Sequence, residues 1–169
     1  CCLWTDGSVT LPTPTRTGYT FGGWYTASTD GTKIGTGGGS YTPTGNVTVY
    51  AHWTPISYQV KFNGNGNTSG SMSNQSFVYD KAQNLSANAF KREFTVTYNY
   101  NYSGSTNTTA KATATFTGWA KTASGAKAYD DKQSVKNLSN TNGTVVNVYA
   151  KWTDKAVTLP TPARTGYVF

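Results

Sequence analysis

Residues 14–26 read Pro14-Thr15-Arg16-Thr17-Gly18-Tyr19-Thr20-Phe21-Gly22-Gly23-Trp24-Tyr25-Thr26. Aromatic and β-branched residues dominate, and Pro and Gly punctuate them, so the stretch predicts a strand entered through a turn rather than a helix. A second stretch, Val49-Tyr50-Ala51-His52-Trp53-Thr54, predicts another strand. Its alternation Val47, Val49, Ala51, Trp53 predicts one buried face.

Both stretches recur. Phe21-Gly22-Gly23-Trp24 returns as Phe116-Thr117-Gly118-Trp119, and Val49 to Thr54 returns as Val148-Tyr149-Ala150-Lys151-Trp152-Thr153. All five Trp fall at these two motif positions, and all three Arg (Arg16, Arg92 and Arg164) precede the aromatic strand. A longer period encloses this one. Trp4-Thr5-Asp6, Val9 to Pro14 and Arg16 to Tyr19 return 148 positions later as Trp152-Thr153-Asp154, Val157 to Pro162 and Arg164 to Tyr167. Self-similarity of this kind predicts tandem modules. Pro55-Ile56 marks a boundary between them, and the Leu-Pro-Thr-Pro segments at 11–14 and 159–162 are stiff extended connections, because each proline fixes φ and disfavours helix.

The two modules differ in length. Arg16 to Trp24 is 8 steps, whereas Arg92 to Trp119 is 27, which leaves 19 residues inserted. Within the insert Phe94, Val96, Tyr98, Tyr100 and Tyr102 alternate with polar residues, and the return leg alternates Ala110, Ala112, Ala114 and Phe116 with Lys and Thr. Period-two alternation predicts a two-stranded hairpin over about 93–117, turning near 103–107, with large rings opposite small residues. Its Tyr98, Tyr100 and Tyr102 serve either as packing within the module or as an exposed interaction stripe, since Tyr offers large contact area at low entropic cost.

Composition agrees with small β modules. Charged residues are 12% of the 169 and aromatics 14%, including 12 Tyr. The charge is +7, from 14 Lys and Arg against 7 acids, but the basic residues are scattered and form no run that would track a phosphate backbone. Nucleic-acid binding is therefore not expected; weak attraction to anionic glycopolymers is. The two cysteines are adjacent, Cys1 and Cys2, so neither a disulfide framework nor metal-ligand spacing is present. They align with Tyr149-Ala150 at the junction between repeats. No apolar run is long enough to insert in a membrane.

The stretch at 14–26, closed by Val49 to Thr54, resembles the Listeria-Bacteroides repeat, also called the internalin B-type B-repeat. Residues 58–153 resemble a longer variant, with Tyr58 to Phe62 as opening strand and Trp119 and Trp152 at its Trp positions. The resemblance implies β-grasp-like modules strung in arrays on secreted or wall-attached bacterial proteins, without catalytic residues; partners vary and do not transfer.

The sequence therefore predicts a mainly β protein of small β-grasp-like sheets with little or no helix, in an elongated array. Residues 1–54 form a first module lacking its opening strand, 55–153 a second, longer one, and 154–169 the start of a third. Arg16, Trp24, Trp53, Arg92, Trp119, Trp152 and Arg164 are its structural motif. The single His52, whose counterpart is Lys151, and the turn-bound acids form no nucleophile–base pair, no paired carboxylates and no metal loop. No catalytic, cofactor or metal site is expected. The expected role is an extracellular structural or adhesive segment at the bacterial surface, a stalk, adhesin or filament subunit. Its partners are neighbouring repeats or identical subunits head to tail, with host or cell-wall glycopolymers as further candidates. A carbohydrate-binding module using exposed Trp or Tyr is the alternative.

Overall fold

A computed structural model describes residues 7–168; Cys1, Cys2 and the Trp4-Thr5-Asp6 copy lie outside the described residues. Among those residues the chain is all-β, in several small sheets with no helix.

The shorter repeat contributes β1 (Val9–Thr10), β2 (Tyr19–Tyr25), β3 (Lys33–Gly35), β4 (Ser40–Tyr41) and β5 (Tyr50–Pro55). Strands β3-β2-β5 form an antiparallel sheet and β1 pairs with β4. Leu11 follows β1, donates its N–H to Gly39 O at 2.8 Å and is buried. Thr26 N–H to Thr32 O closes the β2–β3 connection over Asp30 and Gly31, both at positive φ.

The longer repeat contributes β6 (Ser57–Asn63), β7 (Gln75–Val78), β8 (Gln83–Asn84), β9 (Glu93–Tyr98), β10 (Thr108–Thr113), β11 (Thr115–Ala120), β12 (Lys127–Tyr129), β13 (Ser134–Val135) and β14 (Val145–Thr153). Five of these form one sheet in the order β12-β11-β14-β6-β7; β8 pairs with β13 and β9 with β10. Along β6 the buried Tyr58, Val60 and Phe62 alternate with exposed Ser57, Gln59 and Lys61, the two-residue period of a half-covered strand. Phe77, Leu85, Trp119, Val148 and Ala150 are likewise almost wholly buried.

The registers of the two repeats correspond pair by pair. Phe21 faces Trp53, Gly23 faces His52 and Trp24 faces Ala51; likewise Phe116 faces Trp152, Gly118 faces Lys151 and Trp119 faces Ala150. Each ladder has its irregularity between the Phe and the Gly. The glycine is required there. Gly23 (φ 128°) and Gly118 (φ 139°) occupy backbone space that L residues rarely enter, and a Cβ would sit 2.8 Å from Gly35 O or 2.6 Å from Tyr129 O. The Gly-Trp signature is thus a bulge that re-aims the following Trp.

Two expectations shift in detail. Val47 and Val49 lie outside β5, Val47 is 51% exposed, and Ala51 and Trp53 are half-buried just as His52 between them is, so the expected buried alternation is absent from this strand; Val148 and Ala150 of the longer repeat are fully buried. The strand β14 is flanked on both sides, by β11 and β6, whereas among the described residues β5 pairs with β2 alone. The hairpin ends at Thr113 instead of 117, because the strand is interrupted at buried Ala114 and β11 joins the large sheet.

By packing, the described residues fall into two compact units. The first takes the chain through Gln59 with Ser76–Gln83 and Val135–Val146; the second takes Val60–Gln75, Asn84–Ser134 and the chain from Asn147.

Candidate functional site

The inserted hairpin carries the tyrosines. Strands β9 and β10 pair in register from Glu93 opposite Thr113 to Tyr98 opposite Thr108, so Phe94 faces Ala112 and Val96 faces Ala110. Its base is tied by Glu93, which accepts from Lys111 Nζ at 2.7 Å and from Thr113 Oγ1 at 3.2 Å. The Lys111 hydrogen bond holds the Glu93 carboxyl below the usual carboxylate range, and Glu93 in turn raises the Lys111 ammonium. Tyr100 and Tyr102 lie beyond the ladder. There Asn101 (φ 56°) and Gly104 (φ 81°) turn the chain, Tyr100 OH meets Thr108 Oγ1 at 2.9 Å, and Ser105 Oγ donates to Tyr102 O at 2.6 Å.

Tyr98, Tyr100 and Tyr102 are half-buried, because the chain after β14 runs past them. Tyr98 OH donates to Thr158 O at 3.3 Å, and the Arg164 guanidinium lies 5.1 Å from the Tyr102 ring centre. The three tyrosines, Pro160, Pro162 and Arg164 line a cleft of about 480 Å³. Sequence reasoning singled out the tyrosines but missed their covering segment, for no periodicity links residues sixty positions apart.

The repeated arginines are placed on aromatic rings. Arg16 lies 3.7 Å from the Tyr19 ring centre, Arg164 3.9 Å from that of Tyr167, and Arg92 5.5 Å from that of Phe94. Delocalised guanidinium favours such faces. The buried Arg92 Nε also faces the Asp154 carboxylate at 3.5 Å, close enough for an ion pair yet without hydrogen-bond geometry.

The repeated tryptophans are placed in aromatic clusters. Phe21 meets Trp24 at 5.6 Å and Trp53 at 5.4 Å; Phe116 meets Trp119 at 4.9 Å and Trp152 at 5.6 Å. All four contacts are tilted or edge-on, as ring quadrupoles prefer. Trp24 donates its indole N–H to Pro12 O at 2.8 Å, and Trp152 donates to Gly64 O at 2.9 Å. Trp119 is fully buried under Phe62 and Phe90, and its N–H finds no acceptor. His52 stacks on Tyr25 at 3.9 Å, with Nε2 2.8 Å from Ala27 O, so that nitrogen carries the proton.

One acid is strongly perturbed. Asp80 is held down to about 2 by the Asn137 amide and then by the Tyr19 hydroxyl, with Lys136 Nζ at 3.2 Å. Tyr19, donating to that carboxylate at 2.8 Å, is raised. The cluster joins β2 to two loops of the longer repeat inside the first compact unit, where Tyr79 also meets Tyr19 edge-on at 5.8 Å. Among the described residues no three His, Cys, Asp or Glu gather as metal ligands, and no helix is long and apolar enough to cross a membrane.

Residues 5–52 match the family model of the Listeria-Bacteroides repeat domain. A segment of 41 residues is 54% identical to internalin H of Listeria monocytogenes; it covers 24% of this chain and 7% of that protein. No solved structure matches the chain.

Proposed function

With a Listeria-Bacteroides repeat in residues 5–52, we propose that this chain is a non-enzymatic, extracellular repeat segment of a bacterial surface protein or fibre, a stalk, adhesin or filament subunit. The observation that carries the reading is how the repeated residues are spent. Arg16 and Arg164 lie on neighbouring tyrosines, Trp24 and Trp152 bond backbone carbonyls, and Trp119 is interior. Residues that recur to hold a sheet suit a module whose task is to be stacked and displayed. The partners are neighbouring repeats of a β-grasp-like array, divided at residues 54 and 153, or identical subunits head to tail.

A carbohydrate-binding role for the Trp residues draws less support, because sugars stack on open, roughly coplanar rings and these rings are tilted against their Phe neighbours. Surface shaving tests the proposal: mild protease treatment of intact cells that make the protein should release peptides from this chain. Recovery of those peptides only after lysis would refute an extracellular role.

A further inference from the structure

The segment that follows β14 repeats, with one change, the residues that open the shorter repeat, yet it forms no strand. Residues 9–19 read Val-Thr-Leu-Pro-Thr-Pro-Thr-Arg-Thr-Gly-Tyr and residues 157–167 read Val-Thr-Leu-Pro-Thr-Pro-Ala-Arg-Thr-Gly-Tyr. Its contacts fall instead along the inserted hairpin, in one order: Asp154 with Arg92 at 3.5 Å, Thr158 with Tyr98 at 3.3 Å, Arg164 with Tyr102 at 5.1 Å. The sequence separations of these pairs are 62, 60 and 62, so the segment advances in step with the outgoing leg of the hairpin. Ladder hydrogen bonds do not make this match. Pro160 and Pro162 have no N–H to give, and both have φ fixed near the extended range. Recognition runs through side chains: a tyrosine hydroxyl on a carbonyl, a guanidinium on a ring, and prolines that line the same cleft as the tyrosines. Extended proline-rich segments lose little entropy on docking and suit aromatic-lined grooves.

We propose that the tyrosine face of the inserted hairpin is a receptor for the Leu-Pro-Thr-Pro-x-Arg segment that opens the shorter repeat, holding it in cis as the stretch that leaves the longer repeat. The hairpin is built to present such a face: Glu93, Lys111 and Thr113 tie its base, and the Tyr100 and Ser105 hydrogen bonds shape its tip. Docking of this segment on the hairpin is independent of where the protein resides, so surface shaving can fail without touching it.

The full chain carries its own reporter, the trypsin site after Arg164. Docking should protect it, and the double substitution Tyr98→Ala, Tyr102→Ala should speed cleavage there about tenfold, the combined effect of one exposed cation–π contact and one hydrogen bond on the open population. Cleavage after Lys61, inside β6, should keep its rate and so report that the fold survives. Tyr98→Phe, which keeps the ring and removes only the hydroxyl, should have a smaller effect. Backbone 15N relaxation supplies an independent readout: residues 157–164 should be as ordered as β9 in the parent chain and mobile in the double variant. Equal cleavage rates after Arg164 in all three proteins, or a mobile 157–164 in the parent chain, would overturn the proposal. A peptide of residues 155–169 added in excess should, in the double variant, leave the hairpin amide resonances unmoved; shifts centred on residues 98–102 would show that the tyrosines are not what binds it.

Discussion

Leu11 and Leu159 sit in the same sequence, Val-Thr-Leu-Pro-Thr-Pro, but Leu11 is 4% exposed and Leu159 is 71% exposed. The first copy has β4 to pair with and the β3-β2-β5 sheet to lie against; among the described residues the second has no ladder partner. One feature is the same in both. Tyr19 N–H bonds Arg16 O at 3.0 Å and Tyr167 N–H bonds Arg164 O at 3.1 Å, with Gly18 at φ 77° and Gly166 at φ 80° and the guanidinium on the ring in each. The Arg-Thr-Gly-Tyr turn therefore forms wherever its four residues occur, while strand and burial wait for partners.

A second contrast has the same lesson. Trp24 and Trp119 hold equivalent register positions, yet Trp24 is half-buried and Trp119 is wholly inside. Phe62 on β6 covers Trp119 at 4.9 Å, and the sheet of β2, β3 and β5 has no strand in that place among the described residues.

The largest effect that can test these contrasts is at the tryptophans. Trp119→Ala should cost about 3–5 kcal/mol of unfolding free energy in urea titrations, the cost of emptying a packed core site. Trp24→Ala, losing partial burial, should cost roughly 1–2 kcal/mol. Equal losses would mean that cover by β6 contributes nothing. Next comes the leucine pair: Leu11→Ala should cost about 2–4 kcal/mol, and Leu159→Ala less than about 0.5 kcal/mol, as for any exposed site. A comparable loss at Leu159 would reveal burial that its exposure denies.

The glycine pair is smaller again. Ala at Gly18 must both adopt positive φ and place its Cβ on the Tyr79 ring, whereas at Gly166 it meets only the backbone penalty, with open space around it. Thermal melts should show a loss of about 1–3 kcal/mol for Gly18→Ala and no change in the main transition for Gly166→Ala. The smallest effect is electrostatic. Asp80, held near 2 against the ordinary 3.8, stabilises the fold above pH 3.8, and that contribution disappears as pH falls from 3.8 toward 2. Asp80→Asn should flatten the pH dependence of stability across this window; an unchanged profile would assign the acid sensitivity elsewhere.

Much of this was legible in the chain. The hairpin legs over 93–113 follow from period-two patterning, which depends only on successive side chains pointing to opposite faces; the equivalence of Phe21-Gly-Gly-Trp24 and Phe116-Thr-Gly-Trp119 follows from recurrence, and the strand at Tyr58 to Phe62 from the family resemblance. The Gly before each Trp is likewise a local requirement, since φ of 128° at Gly23 and 139° at Gly118 lies beyond the left-handed range that Asp30 and Asn101 adopt. The cover over the tyrosines was not legible. Thr158 and Arg164 reach Tyr98 and Tyr102 through a hydrogen bond and a cation–π contact that leave no period in the sequence. Nor could the sequence separate Leu11 from Leu159 or Trp24 from Trp119. What the sequence alone determined is what neighbouring residues impose on one another: strands, bulges and the Arg-Thr-Gly-Tyr turn. What only the tertiary structure decided is which of these are buried, because burial belongs to the surface supplied by distant strands, and identical residues receive different surfaces.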